Sequence, residues 1–283
     1  MGGSFAHFGA FMQKRKLGII ADCIINENPV STLKTIKETG FDCFFTHHTD
    51  EQTIADLKTQ GDKLGLHFEF IHGPYHGCNV MWEQGESYRP FLDDILRTLR
   101  LAQKYNVDTV IVHVSSGWTP PPVTEMGLQR FDEIVETAKA CGVNVAFENL
   151  RRLDNLSTVM ERYKHCQNVA FCYDVGHEHC YTKNVDFLHY FGDRLLCTHI
   201  HDNLGFEGNP HGNDDMHVLP FDGDIDFAKV MQKINAVRYK GSLMLEAFNG
   251  SPYKEGGFTA YKNLTPKEFI ALAFERVKCL SEM

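Results

Sequence analysis

The chain has 283 residues, of which 43% are hydrophobic and 23% charged, and its formal net charge is −9. These totals describe a globular protein: no run approaches the roughly 18 apolar residues a membrane helix needs, and the acidic balance disfavours nucleic acid, whose affinity comes largely from Lys and Arg neutralising phosphates. Nine cysteines without a C-x-x-C pair match neither a zinc ribbon nor a disulfide framework, so most are expected to be buried, reduced thiols.

The chain begins "MGGSFAHFGAFMQKRK", which has neither the long apolar segment nor the small-residue cleavage site of a secretory signal. A cytoplasmic protein is expected, with residues 1–15 a flexible extension. Eight strand-like runs follow: "KLGIIAD" (16–22), "DCFFTH" (42–47), "LHFEFIH" (66–72), "DTVIVHV" (108–114), "NVAFEN" (144–149), "VAFCYD" (169–174), "LLCTHIH" (195–201) and "SLMLEAF" (242–248). Several show little in/out alternation, as parallel strands covered on both faces do. Helical periodicity predicts helices at about 30–39, 51–64, 86–105, 127–141, 156–165, 185–191, 226–236 and 265–280. Thr265, Pro266 and Glu268 read as N-cap, first helical residue and capping partner, while Gly40, Gly65 and Gly142 sit where helix C-terminal glycines belong.

Eight β/α units predict a single-domain (β/α)8 TIM barrel over 1–283, because each parallel strand needs a helical crossover and eight such units close the sheet. An open doubly wound sheet is the alternative. Segments 73–85, 115–126, 202–225 and 249–264 are long connections, where functional loops tend to be found. The last of these is a candidate lid or subunit contact, and a homo-oligomer is compatible with the sequence.

In a TIM barrel the active site lies at the C-terminal ends of the strands. Runs three to eight carry His72, His113, Glu148, Asp174, His199 and Glu246 at or near those ends. A single strand-end histidine is commonly a packing residue. A carboxylate in an apolar strand, as in "VAFENL" and "LMLEAF", needs a cation, a metal or a raised pKa, because burying an unpaired charge costs several kcal/mol. A carboxylate-rich set with imidazoles and no cysteine suits Mn²⁺, Mg²⁺, Co²⁺ or Zn²⁺, so at least one catalytic divalent ion is expected.

Further candidates lie around this set. Trp82 and Trp118 fall in long loops and offer ring faces to a sugar. Arg151, with Arg152, follows Glu148 and could clamp a phosphate. His201 points by alternation to the same face as His199, and Asp202 or Asn203 could orient a ligating histidine. The stretch after Asp174, with His177, His179 and Cys180, reads as a polar loop.

The chain resembles the xylose-isomerase-like TIM barrels, the superfamily that holds sugar phosphate isomerases and epimerases, ketose 3-epimerases and endonuclease IV. The resemblance rests on "HGPY" (72–75), "VIVHVSSG" (110–117), "VAFENL" (145–150), "CYDVGH" (172–177), "HIHDN" (199–203), "DMHVLPFDGDIDF" (215–227) and "LMLEAF" (243–248). It implies a metal held by Glu148, Asp174, His199 and Glu246, with the two glutamates also exchanging a substrate proton in an enediolate-type isomerisation or epimerisation. His177 would lie near the metal or a substrate oxygen. The ketose 3-epimerases carry an arginine six residues after their metal histidine, where this chain has Gly205, so the resemblance implies a sugar, sugar phosphate or related polyol without naming it. The endonuclease IV branch implies a different outcome, a multi-zinc phosphoesterase or abasic-site endonuclease, with additional ligands at His72, His113, His177, Asp215 and His217. A non-catalytic sugar-binding barrel is the third alternative.

Overall fold

The computed structural model describes residues 15–182, 185–206, 215–250 and 260–283. Its parallel strands are β1 (Leu17–Ile20), β2 (Cys43–Thr46), β3 (His67–His72), β4 (Thr109–His113), β5 (Asn144–Glu148), β6 (Val169–Asp174), β7 (Leu195–His199) and β8 (Leu243–Leu245). They pair in the order β7-β6-β5-β4-β3-β2-β1-β8. The ends of that row meet: Ile200 N donates to Met244 O at 2.8 Å and Glu246 N to Ile200 O at 3.0 Å. This closes a single (β/α)8 barrel and leaves no place for the doubly wound alternative.

The strands are buried almost throughout, with Ile19, Phe45, Phe70, Ile111, Phe147 and Phe171 fully enclosed. Around them run α1 (Pro29–Thr39), α2 (Glu51–Leu64), α3 (Arg89–Lys104), α4 (Glu125–Cys141), α5 (Leu153–Arg162), α6 (Val175–Tyr181), α7 (Phe187–Phe191), α8 (Phe227–Ala236) and α9 (Pro266–Ser281). Side chains cap their N-termini where the sequence offers Asn28, Asp50, Thr124 and Thr265, the last with Glu268 in a full capping box. Gly65 and Gly142 end α2 and α4 at φ 64° and 68°, a left-handed conformation that glycine adopts at little cost.

Two expectations change here. Residues 175–181 are helix α6 rather than a polar loop, because the Asp174 carboxylate accepts from His177 N at 2.6 Å and caps the turn. The eighth strand stops at Leu245, so Glu246 lies one residue beyond it, held by its backbone bond to Ile200. Of the nine cysteines, Cys141 and Cys166 are half-buried, Cys279 is exposed and the other six are buried. Among the described residues no helix is long and apolar enough to cross a membrane. The extension expected over 1–15, apart from Arg15, and most of the candidate lid at 249–264 lie outside the described residues.

Candidate metal centre

The barrel places Glu148 at the end of β5, Asp174 at the end of β6, His199 at the end of β7 and Glu246 just past β8. All four are buried, and each offers a ligand atom within 4.8 Å of the others. His199 Nδ1 lies 3.4 Å from Glu148 Oε1, 3.3 Å from Glu246 Oε2 and 3.8 Å from Asp174 Oδ2. Yet Glu148 Oε1, Asp174 Oδ2 and both ring nitrogens of His199 make no hydrogen bond. An orphaned buried polar atom costs about 1–3 kcal/mol. Several converging on one point fit a cation there, and the nitrogen–carboxylate donor set suits a divalent metal.

The electrostatics point the same way. Burial alone would raise the Glu148 carboxyl, but His199 and His113 hold it well below the ordinary range. Glu246, also opposed by burial, is held low by His199 and His47. Burial works against a charge on His199 too, but Glu246 and Glu148 lift it to about 10. Without a metal, a proton on His199 balances the carboxylates, and a divalent ion would take the place of that proton.

Histidines surround this core with a recurring geometry. His72 Nδ1 bonds Gly73 O at 2.8 Å, His177 Nδ1 bonds Asn149 O at 3.0 Å and His217 Nδ1 bonds Glu246 O at 2.9 Å. A carbonyl oxygen only accepts, so in each ring Nδ1 carries a proton, and Nε2 faces a carboxylate. Those Nε2 atoms lie 3.3 Å from Glu148 Oε2, 3.2 Å from Asp215 Oδ2 and 3.4 Å from Asp215 Oδ2, respectively. Metal-ligating histidines are commonly oriented in this way. His113 Nε2 also approaches Glu148 Oε2, at 3.1 Å; burial lowers its pKa to about 4, which leaves it neutral. A second four-residue group, His177, His201, Asp215 and His217, adjoins the first.

His201 is fully buried, with its ring parallel to that of His217 at 3.8 Å and Nε2 3.2 Å from Asp174 Oδ1. It lies directly on Gly176, where an added Cβ would come within 1.9 Å of His201 Cε1. The stacked ring has nowhere to retreat. Gly176→Ala is therefore expected to cost about 1–3 kcal/mol of stability through overpacking, read as a lower urea midpoint at unchanged slope; an unchanged midpoint would show that His201 moves freely.

Other sequence candidates are placed differently. Asp202 does not orient a histidine: its carboxylate accepts from the backbone N–H groups of Asn203, Phe221, Gly223 and Ile225, which ties residues 221–225 to the end of β7. Asn203 likewise donates to Gly176 O, and backbone carbonyls orient three of the histidine rings. Trp82 does not offer its ring to the barrel mouth. It is buried against Phe131, and its indole N–H donates to Val114 O at 2.8 Å. Trp118 is half-buried and edges Tyr181, while Arg151 stacks on Tyr181.

Two side chains at the centre were missed from sequence. His47 Nε2 lies 2.6 Å from Glu246 Oε1. Burial lowers its pKa, so the neutral ring donates. Its backbone N–H bonds Asp22 Oδ2 at 2.8 Å, and the run 42–47 already ended on this residue. Tyr75 sets its ring against His47, His72 and His113. Tyr75, His47, His72, His113, Glu148, His177, His217 and Glu246 line a cavity of ≈ 30 Å³, room for an ion or a water but not a sugar. A larger cleft of ≈ 340 Å³ shares Tyr75, His113 and His177 with it and extends to Arg151, Tyr181 and Asp215.

The family model described as "Xylose isomerase-like TIM barrel" matches residues 33–265. The uncharacterized protein MJ1311 of Methanocaldococcus jannaschii is 23% identical over 256 residues, covering 83% of this chain and 84% of its own length. Apo 3-keto-D-glucoside 4-epimerase, YcjR, from E. coli is similar with a TM-score of 0.69 at 20% identity, over 94% of this chain and 100% of that one. D-Psicose 3-epimerase with D-tagatose, from Clostridium cellulolyticum H10, is similar with a TM-score of 0.70 at 16% identity, over 95% and 100% of the two chains. At these identities the structural likeness carries the fold alone.

Proposed function

Because the chain belongs to the xylose isomerase-like TIM barrel family, we propose that it is a divalent-metal-dependent isomerase or epimerase of a small sugar, sugar phosphate or related polyol. The observation that carries this reading is the pair Glu148 and Glu246: two buried carboxylates, held ionised and both within 3.4 Å of His199 Nδ1. The epimerase activities of the two structural neighbours named above support it.

A proton α to a carbonyl is too weakly acidic to leave at neutral pH unless the developing oxyanion is stabilised. A divalent ion held by Glu148, Asp174, His199 and Glu246 would supply that positive charge. Glu148 and Glu246 are then the groups that take the proton and return it. His47 donates to Glu246 Oε1 and so fixes the carboxylate that must meet the substrate. Tyr75 and the rings around it narrow the space over the carboxylates, which restricts water there.

The test is deuterium uptake from D₂O into a panel of ketoses, inosose-type polyols and their phosphates, followed by NMR with and without chelator. Uptake into at least one compound, lost on chelation, is the expected result. No uptake anywhere by metal-replete protein would remove the reading.

The second reading, a multi-zinc phosphoesterase or abasic-site endonuclease, draws on the cluster of His177, His201, Asp215 and His217 beside the first and on His72 and His113 flanking Glu148. About three tightly held zinc ions per chain, with cleavage of abasic DNA, would establish it instead. A metal-free protein that binds sugars without turnover would leave the non-catalytic barrel.

A further inference from the structure

The cleft outside the carboxylate cluster presents a cation that no carboxylate among the described residues neutralises. Arg151 lies three residues past Glu148, and its guanidinium carbon sits 3.7 Å from the centre of the Tyr181 ring and 5.5 Å from that of Trp118. Arg151 Nε is buried and makes no hydrogen bond. The adjacent Arg152 is paired to Asp154 at 2.6 Å, whereas among the described residues no carboxylate reaches Arg151 within 4.0 Å. Asp215 lines the same cleft but is engaged by His177 at 3.2 Å and His217 at 3.4 Å.

Stacking on an aromatic ring covers a face of the guanidinium and fixes its plane, while its edge N–H groups remain free for a planar or tetrahedral anion. Holding the group in place beforehand removes much of the ordering cost of binding. The cleft also offers His76, Ser116 and the backbone of Gly77, and its ≈ 340 Å³ is in the range of small-molecule sites. Because it shares Tyr75, His113 and His177 with the inner cavity, a ligand with one end at Glu148 can place its other end near Arg151.

We propose that Arg151 is the counter-charge for an anionic group, a phosphate or a carboxylate, carried by the sugar at the end remote from the reacting carbon. The identity of the ligand as a sugar rests on the isomerase or epimerase reading; the anion site does not.

The experiment compares metal-replete wild type with Arg151→Met and Arg151→Lys, using each neutral sugar beside its phosphate and its carboxylate analogue. A charge-assisted bond predicts that wild type favours one anionic form over the neutral parent by about 10–100-fold in kcat/KM. In Arg151→Met that ratio falls towards one, carried by KM, and Arg151→Lys recovers part of it. The phosphate and carboxylate arms separate the two sources of negative charge. Calorimetric titration with inorganic phosphate and with acetate gives a readout independent of turnover, with wild type expected to bind one of them at least about 10-fold more tightly than Arg151→Met. A preference for neutral sugars, or a preference and anion affinity unchanged in Arg151→Met, overturns the proposal. If no sugar exchanges while anion affinity still depends on Arg151, the isomerase reading falls and the anion site stands.

Discussion

Glu246→Gln is expected to lower the rate of solvent-deuterium exchange into the best substrate of the panel by about 10²–10⁴-fold, the usual contribution of a positioned acid/base group. The variant keeps the shape of the side chain. Its amide oxygen can still accept the bond that His47 Nε2 now makes to Glu246 Oε1 at 2.6 Å, so the contact between these two side chains is kept. What disappears is the ability to hold and release a proton at the atom that lies 3.3 Å from His199 Nδ1. The loss should fall on kcat rather than KM, because the proton moves only as the transition state is approached. Removing a carboxylate also weakens any metal site, so the assay is run at saturating divalent ion with metal content measured on the same sample. Full exchange by a metal-replete variant would strip Glu246 of its role and leave Glu148 to be tested alone.

The parts of this centre that were legible from sequence are those governed by strand periodicity. Six strand ends pointed to His72, His113, Glu148, Asp174, His199 and Glu246, and the closed sheet brings these side chains to one place because parallel strands share an orientation. His47, one residue past β2, follows the same rule and was overlooked because the set was counted from the third strand. Helix α6 was hidden for a different reason. A seven-residue helix that starts on a buried carboxylate and carries two histidines shows no amphipathic period, and only the cap from Asp174 to His177 N announces it. The orienting groups of His72, His177 and His217 are backbone carbonyls, which no side-chain pattern can reveal. Asp202 illustrates the converse error: adjacency to a histidine suggested a partner, but four backbone N–H groups of its own loop are nearer and better donors. Trp82 was placed by its loop, yet a large ring beside Gly127 and Phe131 gains more from burial than from exposure at a barrel mouth.

Removing divalent metal is expected to lower the melting temperature by about 5–10 °C, since an ion present at 100 times its Kd contributes about 2.7 kcal/mol and each kcal/mol moves a chain near this size by about 2–4 °C. Asp174 separates that contribution from the fold itself. One of its oxygens, Oδ1, caps α6 through His177 N at 2.6 Å, while Oδ2 is buried in the cluster without a hydrogen bond. Asparagine caps a helix about as well as aspartate but brings a neutral amide to the cluster. Asp174→Asn should therefore fold with its helix intact and lose most of the chelator-sensitive shift, with elemental analysis showing reduced metal. Asp174→Ala should lose the cap as well, at a further cost of about 1 kcal/mol. If Asp174→Asn retained the whole chelator-sensitive shift, the carboxylate would be a cap and nothing more. If wild type showed no shift at all, the metal reading itself would fail. The expected direction follows from the charge balance of the core: with no ion present, Glu148 and Glu246 depend on a proton held by His199, and a divalent ion at the same point offers twice that charge to a cluster in which Glu148 Oε1 and Asp174 Oδ2 make no hydrogen bond.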